Sequence, residues 1–274
     1  MIDLSEIKQG QQQAWSAGDF SKFAETILIV SESLCESVDL HAGDRVLDVA
    51  TGSGNTAICA ARRFCDVVGI DYVPALLDRA RRRAAFEDLE IDFREADAET
   101  LPFADASFDA VLSTFGVMFA PDQEKAAGEM LRVCRPGGKI GMANFTPESL
   151  AGGFFRAAAR YAPPARGLKP PIVWGTEEGL SRLFGDSAAA IETTGRSLVF
   201  RYRSIDHWLE FFGAYFGPIR TVFEGLDESN RERFGRDLKE LVLAANRSGD
   251  DTIVAPVEYL EIVIRRADGD ASTG

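Results

Sequence analysis

The chain has 274 residues, 46% hydrophobic and 27% charged, a balance that suits one large buried core and excludes a disordered chain. Its formal net charge of −13 repels phosphate backbones at long range, which argues against a nucleic-acid partner. The densest basic stretch, Arg79, Arg81, Arg82 and Arg83, lies among acidic segments and reads as the solvated face of a helix.

In chain order, residues 1–13 are polar and lack the apolar run of a signal peptide, and no later apolar run is long enough to cross a bilayer. Residues 4–37 read as one or two helices broken around Gly18-Asp19. Residues 45–49 form a short apolar strand that runs into a glycine-rich turn, 51–54, and then into a helix, 55–63. A second strand, 67–70, ends at Asp71. Pro74 suits the first turn of a helix extending to about Phe86. Strands follow at 91–94 and 108–113. A helix at 124–134 is stopped by Arg135-Pro136-Gly137-Gly138, which turns the chain into a fifth strand, 139–145. Strands alternating with helices predict an α/β fold, a mostly parallel sheet with helices on both faces.

After Phe145 this alternation breaks. Residues 147–174 read as a loop-and-helix excursion, and 176–184 as a helix with Thr176 as N-cap. Residues 191–202 form a strand or hairpin, 204–245 an aromatic-rich helical cover, and 253–265 a long last strand. These segments are expected to form one domain: an N-terminal helical lid (1–42), a core (43–146), a cover (147–250), the last strand (251–266) and a flexible tail (267–274). Cys35, Cys59, Cys65 and Cys134 form no CxxC pair, and with only His41 and His207 available no zinc pattern can be assembled. They read as buried thiols of a cytoplasmic protein without a metal.

The chemistry is expected around Val46-Leu47-Asp48-Val49-Ala50-Thr51-Gly52-Ser53-Gly54-Asn55. A strand entering a helix through glycines offers free N–H donors and room for a ligand at the strand tips. Asp71, ending the second strand, can accept from both hydroxyls of a ribose. Asp97-Ala98-Glu99 after the third strand can read an adenine edge, with a carboxylate for the amino group and an N–H for a ring nitrogen. Asp48 just before the glycines suits a cationic ligand and would repel a pyrophosphate. Taken singly, Asp71 and Asp97 could be plain helix N-caps, the commoner fate of a lone aspartate at such a place.

These segments, with Asp97-Ala98-Glu99-Thr100-Leu101-Pro102-Phe103, Ser107-Phe108-Asp109 and Leu131-Arg132-Val133-Cys134-Arg135-Pro136-Gly137-Gly138, resemble class I S-adenosylmethionine-dependent methyltransferases. They are most similar to the ubiquinone/menaquinone-biosynthesis group. The resemblance covers about residues 43–145. It implies a Rossmann-like sheet of seven strands, the last antiparallel and inserted beside the fifth. It also implies S-adenosylmethionine as cofactor and a site on matching positions. Gly52 and Gly54, with Thr51 and Asn55 of the same turn, would line the methionine part; Asp48 and Ala50 would hold its amino-acid group. Asp71 would bind ribose, Tyr72 would pack on adenine, and Asp97, Ala98 and Glu99 would surround its edge. Thr114 and Phe115 would approach the reacting face. Trp15 and Phe20 are similar to the lid of related small-molecule enzymes.

Trp208, Phe211, Phe212 and Tyr215 share one helical face, which serves either as core or as an apolar acceptor pocket. The expected activity is therefore methyl transfer to oxygen, carbon or nitrogen of a small apolar or aromatic molecule. His207 is the nearest candidate for a general base, with Tyr202 and Tyr215 behind it. The alternatives are a cofactor-binding protein without methyl transfer and an NAD-dependent oxidoreductase, the latter disfavoured by Asp48. The aromatic cover could also serve as a homodimer surface.

Overall fold

The computed structural model describes residues 4–268; from residue 269 the expected tail lies outside the described residues. Three helices open the chain: α1 (Leu4–Ser16), α2 (Phe20–Glu25) and α3 (Leu28–Val38). The predicted break at Gly18 is present. Gly18 has φ of +80°, and a Cβ there would lie 2.5 Å from the Ala214 carbonyl oxygen. The further break, at Thr26-Ile27, carries no glycine or proline to announce it.

Then follow β1 (Arg45–Val49), α4 (Asn55–Ala61), β2 (Asp66–Asp71), α5 (Pro74–Phe86), β3 (Asp92–Glu95), β4 (Phe108–Thr114), α6 (Gln123–Val133) and β5 (Cys134–Phe145). β1 and β2 are buried on both faces beyond their first residue, which is why they read as mainly apolar segments, with Asp48 and Asp71 as the exceptions. The cover comprises α7 (Leu150–Tyr161), α8 (Glu177–Phe184), β6 (Ala188–Tyr202), α9 (Ile205–Tyr215), α10 (Gly217–Gly225) and α11 (Glu228–Ala245), and β7 (Ile253–Arg266) closes the sheet. Thr176 caps α8 as expected, its hydroxyl accepting from the Gly179 N–H at 3.0 Å. Residues 191–202 belong to one strand, not a hairpin.

The seven strands are ordered β3-β2-β1-β4-β5-β7-β6. Neighbours from β3 to β5 are parallel, and β7 runs antiparallel to both β5 and β6. Alternate strand residues face different cores. Val46 and Leu112 point toward a cluster with Leu34, Ile58 and Leu77 of α3, α4 and α5. Leu47 and Val111 belong to the larger cluster with α6 and the cover. Trp174, Trp208 and Phe212 are buried in that second core, so the aromatic face of α9 is packed within this chain. Among the described residues, no helix is long and apolar enough to cross a membrane.

Candidate cofactor site at the strand tips

β1 lies where the strand order reverses, with β2 on one side and β4 on the other, the place where open α/β sheets bind ligands. A cavity of about 280 Å³ opens at the carboxyl ends of these strands. β1 and its turn contribute Asp48, Ala50, Thr51, Gly52 and Asn55; β2 contributes Asp71 and Tyr72. The loop after β3 brings Asp97, Ala98 and Glu99, and the end of β4 brings Thr114 and Phe115. Trp15 and Phe20 close the cavity from the N-terminal helices. The three aspartates picked at separate strand tips thus share one cleft.

The strand tips carry unusual backbone. Ala50 and Phe115 have φ of +55° and +54°, a region that costs a residue with a Cβ about 1 kcal/mol or more. Gly116 explains how both turns fit: a Cβ on it would stand 2.7 Å from the Ala50 Cβ. Gly52 has φ of +56°, and an added Cβ would find nothing nearer than Phe20 at 3.9 Å. It leaves open space where a ligand can approach the backbone.

Asp48 and Asp71 are both buried. Asp48 Oδ2 accepts from Thr51 Oγ1 at 2.5 Å and from the Ala57 N–H at 2.9 Å. Asp71 accepts from the Gly52 N–H through Oδ2 and the Val73 N–H through Oδ1, both at 2.9 Å, so it ties the two strand-tip turns together. Burial pushes Asp48 up to about 7 and Asp71 up to about 6, against hydrogen bonds that favour the charged forms. Among the described residues, no lysine, arginine or histidine forms an ion pair with Asp48 or Asp71, whose hydrogen-bond partners are Thr51 Oγ1 and the Ala57 N–H for Asp48 and the Gly52 and Val73 N–H groups for Asp71. Two desolvated carboxylates without a counter-charge suit a ligand that brings positive charge and hydroxyl donors. S-adenosylmethionine, with an ammonium, a sulfonium and a ribose, fits this donor set and the open space at Gly52.

Two expected site residues lie elsewhere. Gly54 does not line the cavity; a Cβ on it would meet Ala80 at 3.0 Å and the Phe93 ring at 3.2 Å, so it serves the packing of α4 against α5 and β3. His207 is not at the cavity either. It stands in the first turn of α9, where Nδ1 accepts from the Arg203 N–H at 3.2 Å and the ring packs near Tyr202 and Phe211. Its imidazole closes a turn and does not line this cavity. Asn55 lines the cavity but also holds the scaffold, donating to the Ala24 carbonyl and accepting from Arg83.

The site also includes residues not expected from the sequence. Lys8, Gln11 and Gln12 reach it from α1. Gln11 donates to the Phe119 carbonyl at 3.1 Å, and Gln12 donates to the Tyr72 carbonyl. With Trp15 they share one face at helical spacing, a signal present in the sequence but hidden because that face is polar. Ser31 and Thr56, also unexpected, line the cavity in a hydrogen-bonded file of hydroxyls with the expected Thr114, at 3.0 and 2.8 Å.

Comparison with known proteins bears on the fold and the activity. A family model described as a methyltransferase domain matches residues 47–142. An uncharacterized protein of Mycobacterium tuberculosis is 42% identical over 222 residues, 80% of this chain and 81% of its own length. A demethylmenaquinone methyltransferase of Deinococcus radiodurans is 45% identical over 122 residues, 44% of this chain and 50% of that protein. Among solved structures, the YcgJ protein of Bacillus subtilis superposes with a TM-score of 0.62 at 19% identity, covering 87% of this chain and 99% of that one; this likeness speaks for the fold. Residues 47–142 therefore form a class I S-adenosylmethionine-dependent methyltransferase domain, similar in this part of the chain to demethylmenaquinone methyltransferases.

Proposed function

We propose that this enzyme methylates a small, largely apolar or aromatic molecule in the cytoplasm. The convergence of Asp48, Asp71 and Asp97 on one cavity carries this reading. When bound, S-adenosylmethionine supplies an activated methyl group whose sulfonium departs as a neutral thioether. The chain's own residues then bind, orient and exclude water. Asp48 and Ala50 hold the amino-acid end, with Thr51, Gly52 and Asn55 along it. Asp71 accepts from the ribose, while Tyr72, Asp97, Ala98 and Glu99 surround the adenine. Thr114 and Phe115 stand at the reacting end, and α1 with Trp15 and Phe20 forms the lid.

The apolar lining from Trp15, Phe20, Ile27, Phe115 and Phe119 supports an apolar acceptor, and one relative is named for demethylmenaquinone. The titratable lining residues among those described, Lys8, Asp48, Asp71, Tyr72, Asp97 and Glu99, all belong to the cofactor side. An acceptor that ionises by itself, or needs no base, suits such a site. The test is calorimetry with S-adenosylhomocysteine, followed by a labelled-methyl screen on cell extract. Label is expected in a small organic-extractable product. Binding without transfer to any small molecule would overturn the reading.

A further inference from the structure

α1 docks on the site through a charge. None of its residues is buried, yet Lys8 Nζ lies 2.6 Å from Asp97 Oδ2 and 2.5 Å from Glu99 Oε2. Glu99 is buried, and its other oxygen accepts from the Asp122 N–H at 2.8 Å. Asp97 Oδ1 accepts from the Glu99 N–H at 2.9 Å. Each carboxylate therefore has one oxygen fixed by backbone and one fixed by Lys8. A carboxylate oxygen can accept more than one hydrogen bond, so Oδ2 of Asp97 keeps room for a second donor from the cavity that it lines.

We propose that Lys8 is a positioning residue for the cofactor's adenine: as the lid closes, its ammonium draws Asp97 and Glu99 together and fixes Oδ2 of Asp97 to accept from the adenine amino group. The inference rests on the reading of Asp97 as the adenine contact. Without the ammonium, two carboxylates on one tight turn repel each other, and the turn Asp97–Thr100 gains freedom to swing the Asp97 side chain away. A neutral amino group is too weak a donor to replace a cation between two acids. Lid closure and recognition of adenine are in this way a single event.

The test compares S-adenosylhomocysteine with S-inosylhomocysteine, in which a carbonyl oxygen replaces the amino group, by calorimetry on the full chain. The wild type is expected to prefer the adenosyl ligand. Lys8→Met is expected to cut that preference about tenfold, the worth of one hydrogen bond to a charged group, and Lys8→Gln to cut it in the same direction. In an Asp97→Asn background, Lys8→Met is expected to change the preference no further. Equal weakening of both ligands by Lys8→Met, with the preference intact, would overturn the inference and leave Asp97 in place. A wild type without preference would sink the Asp97 reading itself, and this inference with it.

Discussion

At the scale of single residues, the site's character comes from two largely buried carboxylates, Asp48 and Asp71, at the wall of the cavity. Asp71 links the turns after β1 and β2 through two backbone N–H groups, and it has further acceptor capacity for ribose hydroxyls. Asp71→Ala is expected to cost about 1–3 kcal/mol of affinity for S-adenosylhomocysteine, read by calorimetry; a loss well below this would remove the ribose assignment. The raised Asp48 and Asp71 also make binding depend on pH. Their folded values, about 7 and about 6, exceed the ordinary 3.8, so the folded protein without ligand holds more protons than the unfolded chain. Its stability is then fullest below pH 4 as far as these groups are concerned, and declines as pH rises through 6 to 7. A cationic ligand favours the ionised forms, so binding should release protons near pH 6 and tighten as pH rises to 8. Calorimetry in buffers of different ionisation enthalpy reads the release, which Asp48→Asn should reduce.

At the scale of elements, the central strands were legible because burial on both faces makes them mostly apolar, as in Val46-Leu47 and Val49 of β1 and Val67–Ile70 of β2. α5 was legible from Pro74 and α8 from its Thr176 cap. The site's roof was not. The inner face of α1 carries Lys8, Gln11, Gln12 and Trp15, and the rule that apolar residues point inward fails for a helix that turns polar side chains onto a cavity. His207 misled for the opposite reason: its type suggests chemistry, while its position at the start of α9 gives it a turn to close. The lid reading predicts that removal of residues 1–19 weakens S-adenosylhomocysteine binding by tenfold or more, since α1 contributes several side-chain hydrogen bonds of about 1 kcal/mol each. The melting temperature should fall as well, because Trp15 packs against Phe119 and Phe216 even though no α1 residue is fully buried. An unchanged dissociation constant would remove the lid.

At the scale of the whole molecule, the buried acids at the switch point of the sheet separate two nucleotide-binding chemistries that share a glycine turn and a strand order from β3 to β5. A dinucleotide site presents helix N–H groups to a doubly charged pyrophosphate. Here Asp48, buried and directly bonded to the Ala57 N–H, occupies a donor of the first turn of α4 and places negative charge beneath the glycines. A pyrophosphate would have to displace that bond and sit against two carboxylates, whereas a sulfonium and an ammonium relieve them. A ligand that binds only the folded state at one hundred times its dissociation constant stabilises it by about 2.7 kcal/mol. For a chain of this size that corresponds to a rise in melting temperature of roughly 5–10 °C. S-adenosylhomocysteine is therefore expected to raise the melting temperature by this amount under saturating conditions, and NAD to leave it unchanged at the same concentration. A shift with NAD and none with S-adenosylhomocysteine would mean that Asp48 and Asp71 do not face the ligand as charged groups. The electrostatic case for a cationic cofactor, which joins residue burial to sheet topology, would fall with it.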